Sequence, residues 1–155
     1  MNAERTAQNP GYESAVRESF ARQTLMATMG VRIARIGSGE VDLEMPHSPA
    51  FCQQNGYLHA GATASLADSA NGYAAFTLAP ADTDVLAVEF KINLLAPAKG
   101  ERYVARARVV RPGNTLSVCL ADVFAADGER ETRIAIMLST IILRRKMERS
   151  VEGVR

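Results

Sequence analysis

Residues 57–79 run without a proline and with one charged residue, Asp68, among many Ala, Gly and Ser residues; after Pro80 the period of the sequence changes. The alanine content and the absence of a breaker predict one long helix over about residues 59–78. Beyond Pro80 apolar residues recur at every second position. Val88, Phe90, Ile92 and Leu94 alternate with Ala87, Glu89, Lys91 and Asn93, and later runs lie at residues 103–111, 116–124 and 134–143. Period two is the signature of strands. A chain with one buried helix and strands on both sides of it in sequence has few ways to close a core; curling a sheet around the helix is the simplest.

The N-terminal part fits that frame. Val41, Leu43 and Met45 alternate strictly with Glu40, Asp42 and Glu44, and Gly37-Ser38-Gly39 separates this run from residues 31–36, which reads as a hairpin with one wet face. Residues 12–29 have apolar positions at roughly helical spacing and a stop at Gly30, so they read as a single capping helix. Pro112-Gly113-Asn114 and Asp127-Gly128 supply turns, and the last four strands read as an antiparallel meander. The expectation is an α+β domain, an antiparallel sheet of about six strands around one central helix with an N-terminal helix. One domain is expected over residues 1–155, with flexible tails at 1–11 and 146–155.

Composition narrows the function. The 18 Lys and Arg residues face 17 Asp and Glu, so the net charge of +1 offers no broad field for a phosphate backbone, and nucleic acid is not expected as a partner. The polar N-terminus lacks the apolar region of a secretory signal. A membrane span at residues 57–79 would place Asp68 near the bilayer centre at a cost of roughly 2.5–3.5 kcal/mol, so no membrane association is expected. Cys52 and Cys119 show neither disulfide-scaffold nor metal-ligand spacing, and a reducing cytoplasm is the default setting, with no metal and no cofactor.

Chemistry concentrates between Gln53 and Gly72. An ionised Asp68 amid Leu66, Ala67, Ala70 and Ala74 needs compensation for lost solvation, which makes it a candidate general base. The residues read equally as an exposed acid on a polar stripe with Ser65, Asn71 and Thr77. The start of the helix carries unpaired backbone N–H groups at the positive end of its dipole, and those of Ala60 and Gly61 could receive an oxyanion. Gln53 could orient a carbonyl or a water, and His59 reads as a structural histidine or an acid. His59 and Asp68 are nine residues apart, half a turn in azimuth and about 13 Å along the axis. One helix cannot bring them together. A second copy lying antiparallel could, which predicts a homodimer with shared sites.

The run Gly56-Tyr57-Leu58-His59-Ala60-Gly61-Ala62-Thr63-Ala64-Ser65-Leu66-Ala67-Asp68 resembles the signature of PaaI-like hotdog-fold thioesterases, His-Gly-Gly with an acid nine residues after the His. Residues 88–100 resemble the strand and loop that follow in that family. The resemblance spans about residues 30–144 and implies a hotdog fold and hydrolysis of acyl-CoA thioesters, coenzyme A being part of the substrate. Position by position it implies Asp68 as base or nucleophile, Ala60 as the residue whose N–H polarises the carbonyl, and Gln53 as the amide six residues before the His. Asn55, Lys99, Arg111 and Asn114 become candidate substrate-binding residues, and dimers or tetramers are implied. The chain departs from the pattern at three positions. Ala60 replaces the first glycine, Ala87 stands where some relatives have a serine, and Gly72 stands where others have a hydroxyl. The basic run Arg144-Arg145-Lys146 reads as an exposed strand end. Phe51, Tyr57, Tyr73 and Phe76 could shape an acyl pocket. A hotdog hydratase or dehydratase and a non-catalytic acyl-CoA binder are the competing expectations.

Overall fold

A computed structural model describes residues 6–146. The expected tails at 1–11 and 146–155 therefore lie largely outside the described residues. The elements in order are α1 (Tyr12–Phe20), α2 (Thr24–Thr28), β1 (Arg32–Gly37), β2 (Glu40–Pro46), α3 (Ala60–Leu78), β3 (Thr83–Leu94), β4 (Arg102–Arg111), β5 (Leu116–Asp127) and β6 (Arg130–Arg145), with a 3₁₀ turn at Pro49–Phe51.

The long helix runs as its composition predicts. Leu66, Ala67, Ala70, Tyr73, Ala74, Ala75 and Leu78 are buried against the concave face of the sheet, where Val41, Leu43, Met45, Tyr103, Ala105, Ala107, Cys119, Ala121, Val123 and Met137 meet them. Alanine at four of these helix positions lets the strands approach closely on several sides.

All six strands pair antiparallel in the order β1-β2-β4-β5-β6-β3. This is the hotdog arrangement. The expected four-strand meander is corrected in one respect: β4, β5 and β6 are consecutive neighbours, but β3 pairs with β6 at the far edge and not with β4. The chain leaves β2, passes through α3 and enters the sheet at the opposite margin; β4 then returns beside β2. Alternation encodes which face a residue takes, and strand order is set by this crossing.

The single N-terminal helix is also corrected. Residues 21–23 break it into α1 and α2, with Gln23 extended (φ −80°, ψ 97°). No proline or glycine causes the break. The Gln23 Nε2 donates to the Tyr73 hydroxyl at 3.1 Å, and that hydroxyl lies 3.3 Å from Ser19 Oγ, so the kink follows a contact fifty residues away. Val16 and Met26 are fully buried beneath the two short helices.

The convex face of the sheet explains where the arginines go. Arg32, Arg102 and Glu44 form one group, Arg35 binds Glu40 and Asp42, Arg106 grips Glu131 through two bonds of 2.7 Å, and Arg108 and Arg133 share Asp122. These cations are neutralised by carboxylates on the same face. No helix among the described residues is long and apolar enough to cross a membrane.

Candidate active site

The start of α3 is clamped before the helix begins. The Leu58 N–H donates to the Ala98 carbonyl and the His59 N–H to the Phe51 carbonyl, each at 2.9 Å. Gly56 (φ 82°) closes the preceding turn by donating to the Gln53 carbonyl, and the Gln53 N–H donates back to Tyr57. His59 is the N-cap: its Nδ1 accepts the Gly61 N–H at 2.8 Å, and a Cβ on Gly61 would sit 3.0 Å from that nitrogen. Both the structural reading of His59 and the glycine at 61 follow from this cap.

The cap corrects one expectation. The Gly61 N–H is committed to His59, so it is not an oxyanion donor. The Ala60 N–H has no acceptor among the described residues and faces a cavity of about 620 Å³ lined by Gln53, Tyr57, His59, Thr63, Leu94 and Pro97. Gln53 accepts the Asn55 N–H through Oε1, which holds its amide and leaves Nε2 as a donor.

Asp68 lies elsewhere. Its side chain is half-buried on α3 in a second cavity of about 620 Å³, with Ser65, Gly72 and Phe76 of the helix and residues 84–87 of β3. Its Oδ1 is buried with no hydrogen-bond partner among the described residues, and desolvation raises its carboxyl above the ordinary value. The polar-stripe reading does not hold, because Asn71 and Thr77 are fully buried. Asn71 Nδ2 donates to Ser139 Oγ at 2.8 Å; Thr77 Oγ1 donates to the Ala74 carbonyl and accepts the Gly39 N–H, each at 2.7 Å.

The remaining candidates separate into two ends. Asn55 and Lys99 are exposed on loops at the helix-start end. Arg111 and Asn114 lie at the other end of β4, ten residues long and therefore about 30 Å from Lys99. Arg144 and Arg145, expected as a mere strand end, border the Asp68 cavity; this lining was invisible because it depends on β6 running the full length beside β3. Tyr73 and Phe76 belong to the Asp68 cavity and Tyr57 to the helix-start cavity, whereas Phe51 packs on the core. Among the described residues no three His, Cys, Asp or Glu side chains converge as metal ligands.

The sequence and the fold match a known class. The family model of the thioesterase superfamily matches residues 55–132, about half of the chain, and the chain belongs to that superfamily. A crystal structure of a thioesterase family protein from Silicibacter pomeroyi is similar at 48% identity, over 88% of this chain and 100% of that one, with a TM-score of 0.86. A protein of Saccharolobus solfataricus provisionally named an esterase is 30% identical over 74% of this chain and 75% of its own. The Escherichia coli PaaI protein of the phenylacetic acid degradation operon shares the fold, with a TM-score of 0.78 and 17% identity over 88% of this chain and 95% of that one. The chain is thus a hotdog-fold member of the thioesterase superfamily.

Proposed function

We propose that the protein hydrolyses acyl-CoA thioesters at two sites shared across a homodimer. The observation that carries this reading is the placement of the two half-sites along one free strand edge. The helix-start cavity borders residues 94–98 and the Asp68 cavity borders residues 84–87, opposite ends of β3. β3 ends the sheet, is twelve residues long, and exposes Leu86, Val88, Phe90 and Leu94. Such an edge is a template for pairing. Two-fold antiparallel pairing of β3 with its copy sets the Asp68 cavity of one protomer against the helix-start cavity of the other, and lays the two α3 helices antiparallel.

In this arrangement the thioester carbonyl accepts the Ala60 N–H of one protomer, with Gln53 Nε2 as second donor. Asp68 of the other protomer takes a proton from water as the water oxygen bonds to the carbonyl carbon, or attacks that carbon itself. By the first route Asp68 passes that proton to the sulfur as the C–S bond breaks and coenzyme A leaves as its thiol. By the second, coenzyme A leaves as thiolate, and water hydrolyses the acyl–Asp68 anhydride to free the acid, with a proton from that water going to the thiolate. Lys99 and Asn55 of one protomer, and Arg111 and Asn114 of the other, are the groups available to the nucleotide phosphates.

The test is free-thiol release from acetyl-, hexanoyl-, decanoyl-, palmitoyl- and phenylacetyl-CoA, beside Asp68→Asn. Turnover by the native chain that vanishes in the variant supports the reading. Enoyl-CoA product would replace it with a hydratase, and tight acyl-CoA binding without turnover would replace it with a binder.

A further inference from the structure

Gly72 stands in the interior of α3, where glycine is among the poorest residues for helix stability. Gly61 has a structural reason to be glycine, since a Cβ there would crowd the His59 cap. Gly72 has none: a Cβ built on it meets no heavy atom within 4 Å. It lies one helical turn beyond Asp68 on the same face, and Phe76 lies one turn beyond Gly72. All three line one cavity.

The other walls of that cavity come from β3, the end of β6 and the N-terminal helices. Val85 and Ala87 of β3 form one side. Leu25 of α2 forms another, and the two N-terminal helices are tied down where Ser19 and Gln23 meet the Tyr73 hydroxyl. Phe76 and Tyr73, which pack edge to face with ring centroids 6.4 Å apart, line it farther along α3, and Asp84, Arg144 and Arg145 line it as well. From Asp68 the helical rise places Gly72 at about 6 Å and Phe76 at about 12 Å.

We propose that Gly72 is a specificity-determining residue. The acyl group packs over its bare Cα, and the chain is stopped at Phe76 and Leu25. The site then favours acyl groups long enough to reach along the span from Asp68 to Phe76. Acetyl is too short to use it, and palmitoyl exceeds it. This inference rests on the acyl-thioesterase reading above and assigns the substrate class of the same site.

The test compares Gly72→Ala and Gly72→Leu with the native chain. The readout is kcat/KM for hexanoyl- and phenylacetyl-CoA relative to acetyl-CoA, with the dimer monitored by sedimentation. The ratio is expected to fall at least tenfold in Gly72→Leu and less in Gly72→Ala, mainly through KM. An unchanged ratio in dimeric protein overturns the proposal. Loss of the dimer in Gly72→Leu also overturns it, because the space would then belong to the partner subunit. Calorimetric binding of hexanoyl-CoA against free coenzyme A, in an Asp68→Asn background with and without Gly72→Leu, tests Gly72 independently of turnover. If the native chain hydrolyses no thioester yet Gly72→Leu selectively weakens hexanoyl-CoA, the hydrolase reading fails and the acyl site stands.

Discussion

Ala60→Pro isolates a single hydrogen-bond donor. Ala60 is the first residue of α3, so its N–H makes no intrahelical bond, and proline at this position is pre-organised for the helix. The preceding residue must be extended, and His59 is, at φ −62° and ψ 140°. The His59 cap and the Thr63 N–H bond to the His59 carbonyl, 3.1 Å, both survive the change. Stability should therefore shift by less than about 1 kcal/mol, against about 3 kcal/mol for proline inside a helix. Loss of one oxyanion donor costs about 2.7–4 kcal/mol, or roughly 10²–10³ in kcat, and the Gln53 amide should keep the residual rate above background. Ala60→Ser keeps the N–H and should stay within a few-fold of the native rate. Thiol release measures the rate and thermal melting the stability. Native-like kcat in a folded Ala60→Pro variant would refute the assignment of the Ala60 N–H as donor; a collapsed melting temperature would refute the account of the helix start.

Three further outcomes follow from buried or edge groups. Asp68 has a carboxyl raised by desolvation, so the folded chain holds its proton more tightly than the unfolded chain. Its contribution to stability is fully present below the ordinary carboxylate value of about 3.9 and is lost as pH rises through the folded value. Asp68→Asn should raise the melting temperature at neutral pH, with the gain closing under acid, while kcat/KM of the native enzyme falls on the acid side with a midpoint above the ordinary value. A midpoint at the ordinary value would count against the base being Asp68. Ser139→Ala strips the partner from the fully buried Asn71 Nδ2 and should cost about 1–3 kcal/mol in urea unfolding; an unchanged midpoint would show that the bond contributes nothing. Phe90→Glu puts a carboxylate on the β3 edge, near its own copy in the paired dimer, and should yield monomers that have lost activity because each site is halved. Active monomers by sedimentation would end the shared-site reading.

How far the fold could be read in the sequence depended on whether a feature was local. The 40–46 run alternates because one face meets α3 and the other holds carboxylates for Arg32, Arg35 and Arg102, so the pattern and the structure agree residue by residue. The α3 limits were legible from proline and alanine content. The break at 21–23 was not, since the contact Gln23 makes there is with Tyr73, fifty residues away, and nothing near it in sequence marks a stop. Nor was the place of β3, because an alternating run reads the same at an edge as in the middle.

The site divides along the same line. His59 as a cap, Asp68 as a desolvated acid and Ala60 as a bare donor are properties of one helix and its entry loop, and the spacing of nine residues calls for two copies if both ends serve one reaction. What spacing could not supply was the edge along which the proposed copies would pair. β3 borders both cavities, with residues 84–87 beside Asp68 and Leu94 beside Ala60, and that pairing of strand ends with helix residues is a property of the folded sheet. The buried Asn71 and Thr77 show the complementary failure. Polar residues at helical spacing suggest a wet stripe, yet Asn71 Nδ2 and Thr77 Oγ1 are buried against partners far away in sequence, Ser139 and Gly39, and the buried side-chain oxygens left without a partner among the described residues are Asp68 Oδ1 and Asn71 Oδ1. Asp68 differs from Asn71 in that its unpaired oxygen belongs to an acid bordering a cavity, whereas Asn71 is fully buried in the core, and that distinction exists only once the sheet has closed around the helix.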